Sequence, residues 1–393
     1  MLKVVVGHSE DPEAQYAVEE VLDHCSKDLE GHQPQAGILF AAIDFEHALI
    51  LSQINQEFPG IDLIGCTTDG EMSSILGFQQ DSLTLMLFSS DTITISAGVG
   101  HQAKEDPAGA ACQAVKQATG DDDTSPKVCI TIPASYIPDG STTNGEELLK
   151  GLELALGSDV PIVGGTAGDQ YRFKSTVQFF RTEVLTNSIP ILLFSGDIQA
   201  SYGTACGWTP IGQKAVVTRA EGTTIYEIDG KPALDFYKCY LGDRPPTAET
   251  PLAVYDGDGE LYYMRVPNTY DAQSGQINFL GDIPQQSTIQ LTDINRDEVI
   301  AAAEQSFTTA LERYPGTGSP EAVLLFSCCC RRWLLGTRAK EEYQLVRNAL
   351  PKSVPICGFY TYGEFAPLEQ QGVTHYHQET FVTLLLGSNS TGQ

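Results

Sequence analysis

The stretch that decides the fold is Pro355-Ile356-Cys357-Gly358-Phe359-Tyr360-Thr361-Tyr362-Gly363-Glu364, an apolar strand that reaches a glycine and runs into a Gly-Glu turn. The same pattern, a strand followed by Gly-x4-Gly-Glu, occurs at Gly65-Cys66-Thr67-Thr68-Asp69-Gly70-Glu71. A form that is one residue shorter stands at Gly164-Gly165-Thr166-Ala167-Gly168-Asp169. Three such occurrences indicate an internal repeat. They place Glu71, Asp169 and Glu364 at matching positions.

Each copy of the repeat extends upstream through the same elements. In the first two copies, an Asp-Pro pair at Asp11-Pro12 and Asp106-Pro107 predicts a helix start, with Asp as N-cap. An apolar strand and a second amphipathic helix follow in all three copies, and Thr143 and Glu146 predict a capping box. Each β-α-β step implies a parallel strand pair. The expected fold class is therefore mixed α/β, built from repeated β-α-β-α-β units with mixed sheets.

The segment Ser201–Gln290 fits the repeat poorly. Its pattern predicts several strands and a helix from Pro232 to Leu241, with hairpin turns at Gly257, Gly259 and Gly275. We therefore expect two domains that meet near residue 220. The first, 1–220, holds two repeats, and the second, 221–393, holds a strand-rich insert followed by the third repeat.

Composition excludes several classes of protein. Among 393 residues, 23 are Lys or Arg and 51 are Asp or Glu, so the net charge of −28 argues against nucleic acid and anionic membrane surfaces as partners. Solvated stretches such as Asp121–Asp123 carry much of this excess. A hydrophobic content of 41% excludes a disordered chain.

The apolar runs and the cysteines indicate where the protein resides. Runs such as Leu83–Phe88 and Ala322–Phe326 are too short to span a bilayer, and the N-terminus lacks the pattern of a signal peptide. The ten cysteines include no C-x-x-C pair. This usage is typical of reduced thiols in a cytoplasmic protein.

These motifs resemble the FIST family, over nearly the whole chain. Residues 65–71 and 164–169 resemble its N-terminal domain. Tyr226–Ala233, Phe326–Arg331 and the stretch 355–364 resemble its C-terminal domain. The resemblance implies a sensory, ligand-binding module of signal transduction. Such modules act beside histidine kinases, cyclic-dinucleotide enzymes or chemoreceptors, so we expect output through a separate partner. Amino acids are ligands proposed for the family, and some members are described as haem-based nitric-oxide sensors.

Loops at the carboxyl ends of parallel strands are the usual ligand sites of α/β folds. In these loops, glycines expose backbone amides, threonines and tyrosines offer hydrogen bonds, and acids could accept from a ligand ammonium group. The alternative is that each acid caps neighbouring backbone amides, and for a single acid we favour that reading. The candidate residues of the loops are Thr67, Thr68, Glu71, Gly165, Thr166, Asp169, Tyr360, Tyr362, Gly363 and Glu364.

Arg331 follows an apolar strand in a chain that is poor in cations, and with Cys328 it matches the family's Cys-x-x-Arg pattern. Its guanidinium could bind a ligand carboxylate. The alternatives are a structural salt bridge or a solvated cation beside Arg332. Cys328 could be a nucleophile activated by that cation, but no histidine lies nearby in sequence, and a buried structural thiol is favoured.

Histidines supply the remaining candidates. His8, His47, His101, His375 and His377 could ligate haem, and His375 and His377 lie on one face of a predicted strand. No third metal ligand stands at a recognisable spacing, and neither a dinucleotide fingerprint nor a P-loop occurs. The leading hypothesis is a sensory module that binds a small polar ligand, such as an amino acid or small carboxylate, and signals through a partner. A haem-based nitric-oxide sensor that regulates a kinase, a Cys328-dependent enzyme and a ligand-free scaffold remain as alternatives.

Overall fold

The computed structural model describes residues 1–120, 125–255 and 261–389. The acidic run Asp121–Asp123 and the turn positions Gly257 and Gly259 lie outside the described residues.

Three repeats and one insert make up the described chain. The first repeat comprises β1 (Leu2–Ser9), α1 (Ala14–Leu29), β2 (Ala36–Ala41), α2 (His47–Glu57), β3 (Asp62–Thr67), β4 (Glu71–Ser73), β5 (Gly77–Gln79) and β6 (Leu83–Ser90). The second comprises β7 (Ile93–His101), α3 (Pro107–Thr119), β8 (Pro126–Thr131), α4 (Gly145–Leu156), β9 (Ile162–Gly165), β10 (Gln178–Phe180), β11 (Glu183–Leu185) and β12 (Ser188–Gly196).

The third repeat is split by the insert. It opens with β13 (Ile198–Ala205). The insert follows as β14 (Trp208–Glu221), β15 (Thr224–Ile228), β16 (Lys231–Pro232), α5 (Ala233–Leu241), β17 (Leu252–Tyr255), β18 (Tyr262–Arg265), β19 (Pro267–Tyr270), β20 (Ile277–Phe279) and β21 (Thr288–Ile294). The repeat then resumes as α6 (Arg296–Glu312), β22 (Ala322–Cys328), α7 (Cys329–Leu335), α8 (Lys340–Asn348), β23 (Ile356–Thr361), β24 (Glu364–Pro367), β25 (Thr374–His377) and β26 (Phe381–Ser388).

Each repeat forms the core of a six-stranded sheet with the same strand order. The three orders are β1-β6-β2-β3-β10-β11, β7-β12-β8-β9-β24-β25 and β13-β26-β22-β23-β4-β5. The pairs β2/β3, β8/β9 and β22/β23 are parallel, while the other pairs within these sheets are antiparallel. The predicted mixed α/β fold with repeated units and mixed sheets is therefore confirmed.

Each of these three sheets is completed by a hairpin from another repeat. The hairpin β4–β5 of the first repeat pairs with β23 of the third, and β10–β11 of the second pairs with β3 of the first. The hairpin β24–β25 of the third repeat pairs with β9 of the second. The three repeats thus exchange edge hairpins in a closed cycle.

One apolar core lies between the three sheets. Phe40 of the first sheet packs on Phe359 of the third with ring centroids 4.4 Å apart, and Phe88 contacts Phe194 of the second sheet at 5.5 Å. The outer faces are covered by helices: α1 and α2 on the first sheet, α3 and α4 on the second, and α6 and α8 on the third. Burial on both faces explains why the strands are nearly continuous apolar runs.

The glycine that marks each copy of the motif is explained by a close approach between strands. Gly65, Gly164 and Gly358 each lie opposite a residue of the neighbouring parallel strand. A Cβ atom at these positions would come within 2.1, 1.9 and 2.3 Å of the carbonyl oxygens of Leu39, Thr131 and Leu325, respectively. No side chain fits there, so glycine is required for packing.

The division of the chain differs in detail from the expectation. The third repeat begins at β13, which pairs along its length with β26, so Ser201–Ala205 belongs to the repeat and not to the insert. The insert occupies residues 206–295 between β13 and α6. Residue 220 lies within β14, and the expected boundary of the domains 1–220 and 221–393 stays a prediction.

Two of the predicted helix starts are corrected. The N-cap of α4 is Asn144, whose side chain accepts a hydrogen bond from the Glu147 amide (3.1 Å), and not Thr143. Helix α1 begins at Ala14 without a side-chain cap, because Asp11 is used by the preceding turn. Asp106 caps α3 as predicted.

Candidate functional site

The loops that follow β3, β9 and β23 meet at one end of the core. The amide of Gly168 donates to the carbonyl of Thr67 (2.8 Å), and the amide of Thr166 donates to the carbonyl of Gly363 (2.8 Å). The amide of Asp69 donates to the carbonyl of Tyr360 (3.1 Å). The structure therefore brings together the three loops that the sequence motif singled out.

Glu71 and Glu364 have the same surroundings in two repeats. Each carboxyl group is fully buried and shares hydrogen bonds with a threonine three residues earlier and with the hydroxyl that precedes the last strand of the repeat. Those partners are Thr68 and Ser82 (2.5 Å) for Glu71, and Thr361 and Thr380 (2.8 Å) for Glu364. Burial raises the pKa of each carboxyl to about 7.

The second repeat places Gln178 at this position. Gln178 is the first residue of its hairpin and pairs with Cys66, just as Glu364 pairs with Gly165. Its Oε1 accepts from Ser188 (3.2 Å), and its Nε2 donates to Thr176 (3.3 Å). The prediction that Asp169 matches Glu71 and Glu364 is therefore wrong. A longer loop separates β9 from its hairpin, and the equivalent residue lies beyond that loop.

Asp169 caps the loop that carries it. Its carboxylate accepts from the amides of Phe173 (2.9 Å), Lys174 (2.8 Å) and Ser175 (3.0 Å), and from the Tyr362 hydroxyl (2.5 Å). The three amide bonds correspond to the capping of neighbouring backbone amides that the sequence suggests for these acids.

Arg331 is fully buried and uses all five of its N–H donors within the protein. Nε and Nη2 bind Glu342 Oε1 at 2.9 and 2.6 Å, and the second Nη2 proton reaches the carbonyl of Val299 (2.6 Å). Nη1 donates to the carbonyls of Cys206 and Glu379. A guanidinium has five donors, so none is left for a ligand carboxylate. This geometry corresponds to the structural salt bridge.

Tyr360 belongs to the same buried network. Its hydroxyl donates to Glu342 Oε2 (2.6 Å) and lies 3.1 Å from the carbonyl oxygen of Ala339. Thr67 is likewise directed inward, because its hydroxyl donates to the carbonyl of Gly168 (2.7 Å). These side chains hold the loops in place from below.

Cys328, Cys329 and Cys330 gather three thiols where β22 meets α7. Their sulfur atoms all lie within 4.8 Å of one another. Burial raises the pKa of the Cys328 thiol well above its usual value, so it is not a thiolate near neutral pH. This environment is that of a structural thiol and differs from that of an activated nucleophile. All ten cysteines of the chain are free thiols in the structure.

A cavity of about 610 Å³, which we call the repeat–insert cavity, lies between the second repeat, the start of α7 and the insert. Two of the predicted site residues, Thr166 and Tyr362, line it. The remaining lining residues are Ser135, Tyr136, Thr142, Thr143, Asn144, Glu146, Phe173, Thr223, Ala248, Val266, Pro267, Asn268, Asn278, Phe279, Leu280, Cys329, Cys330 and Tyr376. Sequence reasoning missed most of them as site residues, because neither the insert nor the segment before α4 carries a motif that signals a binding wall.

The other predicted residues do not line this cavity. Gly165 pairs with Glu364 in the second sheet, and Gly363 lies against the ring of Tyr376. The remaining predicted residues are buried in the layer that supports the loops. They are Thr67, Thr68, Glu71, Asp169, Tyr360, Glu364, Cys328 and Arg331. Their part in ligand binding stays a prediction.

A second cavity, of about 440 Å³, lies between the start of β14, β18 and α6. Its lining includes Trp208 and His377. The Nε1 of Trp208 and the Nδ1 of His377 are buried and have no hydrogen-bond partner. His377 Nε2 contacts the carbonyl of Ala366 (2.8 Å), which requires that the proton is on Nε2.

Two of the candidate histidines are already engaged, and the lining of the two cavities does not suit haem. Both ring nitrogens of His8 are held by serines, at 2.6 and 2.8 Å, and Nε2 of His47 is held by the carbonyl of Ala42 (2.9 Å). No Lys or Arg is among the described residues that line either cavity, so the two propionates of a haem would lack cationic partners.

Family comparison agrees with the repeated architecture. The FIST N domain matches residues 35–231, and the FIST C domain matches residues 233–367. The chain therefore belongs to the FIST family, as its motifs predict. FIST domains are sensory domains of signal-transduction proteins, which indicates a sensory role.

Curated relatives are distant. The chain is 26% identical over 189 residues to an uncharacterized protein of Methanocaldococcus jannaschii. The aligned region covers 48% of this chain and 36% of that protein. It is 27% identical over 239 residues to an uncharacterized protein of Mycobacterium tuberculosis. This alignment covers 56% of the chain and 60% of the relative. The chain thus spans from about a third to three fifths of the length of these relatives.

Among solved structures, the chain aligns with cyanuric acid hydrolase from A. caulinodans. The alignment covers 100% of both chains at 10% identity, with a TM-score of 0.41. At this level the likeness supports no inference about activity. None of the helices in the described part of the chain combines the length and apolar character needed to cross a membrane.

Proposed function

We propose that this FIST-family protein is a sensory module that binds a small polar molecule in the repeat–insert cavity and passes the signal to a partner protein. The observation that carries the proposal is the cavity itself. Its volume of about 610 Å³ lies within the range of small-molecule sites, and its walls come from the second repeat, the third repeat and the insert. The loops of the sequence motif support one of these walls.

The wall of the cavity defines the chemistry of the ligand. Tyr362 and Phe173 stack with ring centroids 4.9 Å apart, and Tyr136 meets Tyr362 edge-on at 5.8 Å. The hydroxyl of Thr166 is buried and has no partner. Aromatic faces beside an open hydroxyl favour a ligand with a planar or apolar part and polar groups at its edge.

The charged residues around the cavity narrow the class of ligand further. The acidic side chain of the lining, Glu146, is already paired with Arg265 (Nη2 to Oε1, 2.7 Å). No cation among the described lining residues is available to balance a net negative charge on the ligand. A neutral or zwitterionic molecule of amino-acid size is therefore favoured over a small carboxylate.

Arg265 offers a route for the signal. It lies on β18 of the insert and reaches Glu146 on α4 and the carbonyl of Tyr376 (2.9 Å) on β25. A ligand that contacts both walls changes how tightly the insert is held against the repeats. The partner that reads this change would be a histidine kinase, a cyclic-dinucleotide enzyme or a chemoreceptor.

The test begins with native mass spectrometry of the purified protein, which detects a retained small molecule. A thermal-shift series with neutral, zwitterionic and anionic metabolites then follows. Neutral or zwitterionic compounds are expected to raise the melting temperature, and Thr166→Val and Asn278→Ala are expected to reduce that shift. Asn348→Ala, an exposed position on α8, serves as the matched control. The proposal is contradicted if no compound raises the melting temperature. It is also contradicted if Asn348→Ala reduces the shift while Thr166→Val and Asn278→Ala leave it unchanged.

A further inference from the structure

Three consecutive cysteines bring their sulfur atoms to one point at the start of α7. The sulfurs of Cys328, Cys329 and Cys330 lie within 4.8 Å of one another. In a tetrahedral zinc site, Zn–S bonds of ~2.3 Å place the sulfurs roughly 3.8 Å apart. Small side-chain rotations would therefore bring all three sulfurs to one ion.

Glu379 supplies the second, independent observation. Its side chain is completely buried, and no N–H or O–H group donates to either carboxyl oxygen. A buried carboxyl group served only by a weak thiol donor is costly, and native structures rarely leave one so poorly satisfied. That thiol belongs to Cys330, so the carboxyl group lies beside the cysteine cluster.

The other two repeats show what is unusual about Glu379. The residue equivalent to Glu379 is Asp81 in the first repeat and Asn187 in the second. These two residues directly precede Ser82 and Ser188, respectively. Asp81 accepts from the Gln170 side chain, and Asn187 accepts from the Lys104 amide (2.9 Å). All three residues have positive φ, but the side chain of Glu379 is completely buried and no N–H or O–H group donates to it.

The cluster is reachable from solvent. Cys329 and Cys330 line the repeat–insert cavity, and the Cys330 side chain is partly exposed. Arg331 donates to the carbonyl of Glu379 (3.3 Å), which places positive charge next to a site that would carry several negative ligands. A cation can therefore enter through the cavity and be held at its wall.

We propose that Cys328, Cys329, Cys330 and Glu379 form a binding site for a thiophilic divalent cation of the Zn²⁺ class. Three thiolates and one carboxylate are ligands that Zn²⁺ accepts in tetrahedral geometry. On binding, each thiol loses its proton to solvent as its sulfur–metal bond forms. This site shares a wall with the repeat–insert cavity, through Cys329 and Cys330, but it does not depend on the small molecule proposed to bind there.

The test uses the reduced, metal-free full chain. Titration with Cd²⁺ reports thiolate ligation through a charge-transfer band in the ultraviolet, and competition with a chromophoric chelator measures the affinity for Zn²⁺. One ion per chain is expected. Cys329→Ser and Cys330→Ser should weaken the band, and Glu379→Gln should keep the band but lower Zn²⁺ affinity roughly tenfold or more.

The controls are Cys112→Ser and Cys239→Ser, which change exposed thiols elsewhere in the chain. Circular dichroism of each variant establishes that it is folded, and Cys330→Ser is the informative variant if Cys329→Ser does not fold. Absence of a thiolate–Cd²⁺ band in the wild-type protein overturns the site. A band that survives in Cys330→Ser but disappears in Cys112→Ser also overturns it. Unchanged Zn²⁺ affinity in Glu379→Gln removes Glu379 from the proposed ligand set.

Discussion

Arg331 and Glu342 form an ion pair that is completely shielded from solvent, with Nη2 of Arg331 2.6 Å from Oε1 of Glu342. The guanidinium also binds the carbonyls of Val299 on α6 and Cys206 at the entry to the insert. The pair therefore joins α7 and α8 to the rest of the third repeat. A buried pair of this kind is costly to break on one side only.

Arg331→Met is expected to lower the free energy of unfolding by about 3–5 kcal/mol, because it leaves the Glu342 carboxylate buried and unpaired. The double variant Arg331→Met/Glu342→Leu should recover part of that loss. Urea denaturation followed by circular dichroism measures both. A single variant as stable as the wild type would show that the pair has no structural role and would return Arg331 to the ligand-binding candidates.

The pH dependence of stability should change when Glu364 is replaced by Gln. The folded-state pKa of Glu364 is raised from 4.5 to about 7, so between those values the folded protein keeps a proton that the unfolded chain releases. Its stabilising contribution is therefore complete below pH 4.5 and is lost as pH rises to about 7. Glu364→Gln should remove this loss, because Gln178 fills the same position with an uncharged amide.

The matched control is the reverse change, Gln178→Glu, which should introduce the same loss of stability with rising pH. Urea unfolding across this pH range measures each variant against the wild type. Using differences between variants cancels the contributions of other buried groups, such as His8, whose lowered pKa acts in the opposite direction. Parallel pH profiles for the wild type and Glu364→Gln would contradict the assignment.

Alanine should not be tolerated at the glycine of the motif. In Gly65→Ala and Gly358→Ala, the new Cβ would meet a backbone carbonyl oxygen at 2.1 and 2.3 Å, and the backbone cannot move aside without breaking the parallel pair. We expect each change to cost about 1–3 kcal/mol or more. Gly318→Ala is the control, because nothing lies within 4 Å of its Cβ position. Melting temperatures distinguish these outcomes, and equal values for all three variants would refute the steric argument.

Removing Arg265 should loosen the insert without unfolding the repeats. Its side chain is 4% exposed and joins β18 to Glu146, to the carbonyl of Asp282 (2.9 Å) and to the carbonyl of Tyr376. Hydrogen–deuterium exchange of Arg265→Ala should rise in residues 208–294 and remain unchanged in β1 to β6. Arg338→Ala, which breaks an exposed ion pair, should have little effect. Uniform exchange across the chain would show that the insert is not a separate moving part.

Cys328 should be slow to alkylate at neutral pH. Its pKa is raised well above the ordinary value by burial, so little thiolate is present. The exposed thiols of Cys112 and Cys239 should react with iodoacetamide first, as read by peptide mass spectrometry. Labelling of Cys328 ahead of both would revive the hypothesis of a cysteine-dependent enzyme.

The repeated architecture could be predicted from the sequence because the constraint behind it is local. Gly65, Gly164 and Gly358 are each forced by contact with the adjacent strand, and that strand lies in the same repeat. The equivalent position in the second repeat could not be predicted, because the loop after Gly165 is longer than in the other repeats. The residue that corresponds to Glu71 and Glu364 is Gln178, which lies beyond that loop. The motif alone therefore selected Asp169, which is a loop cap.

The candidate site was less predictable because its determinants are distant in sequence. The sequence shows a cation after a strand at Arg331, but it does not show that Glu342 returns to it from the next helix, eleven residues later. The wall formed by Val266, Asn268 and Asn278 carries no pattern that distinguishes it from any other surface strand. Thr166 and Tyr362 were identified because they belong to the repeated loops.

The cyclic exchange of hairpins has a consequence for biosynthesis. The first sheet can close once residues 178–185 have been made, but β9 waits for the hairpin at residues 364–377, and the hairpin β4–β5 waits for β23. A nascent chain therefore carries unpaired strand edges until residues 356–377 have been made. Such edges are prone to pair with the wrong chain. The edges of β9 and of the hairpin β4–β5 are therefore exposed to such mispairing over the synthesis of most of the residues that separate them from their partners.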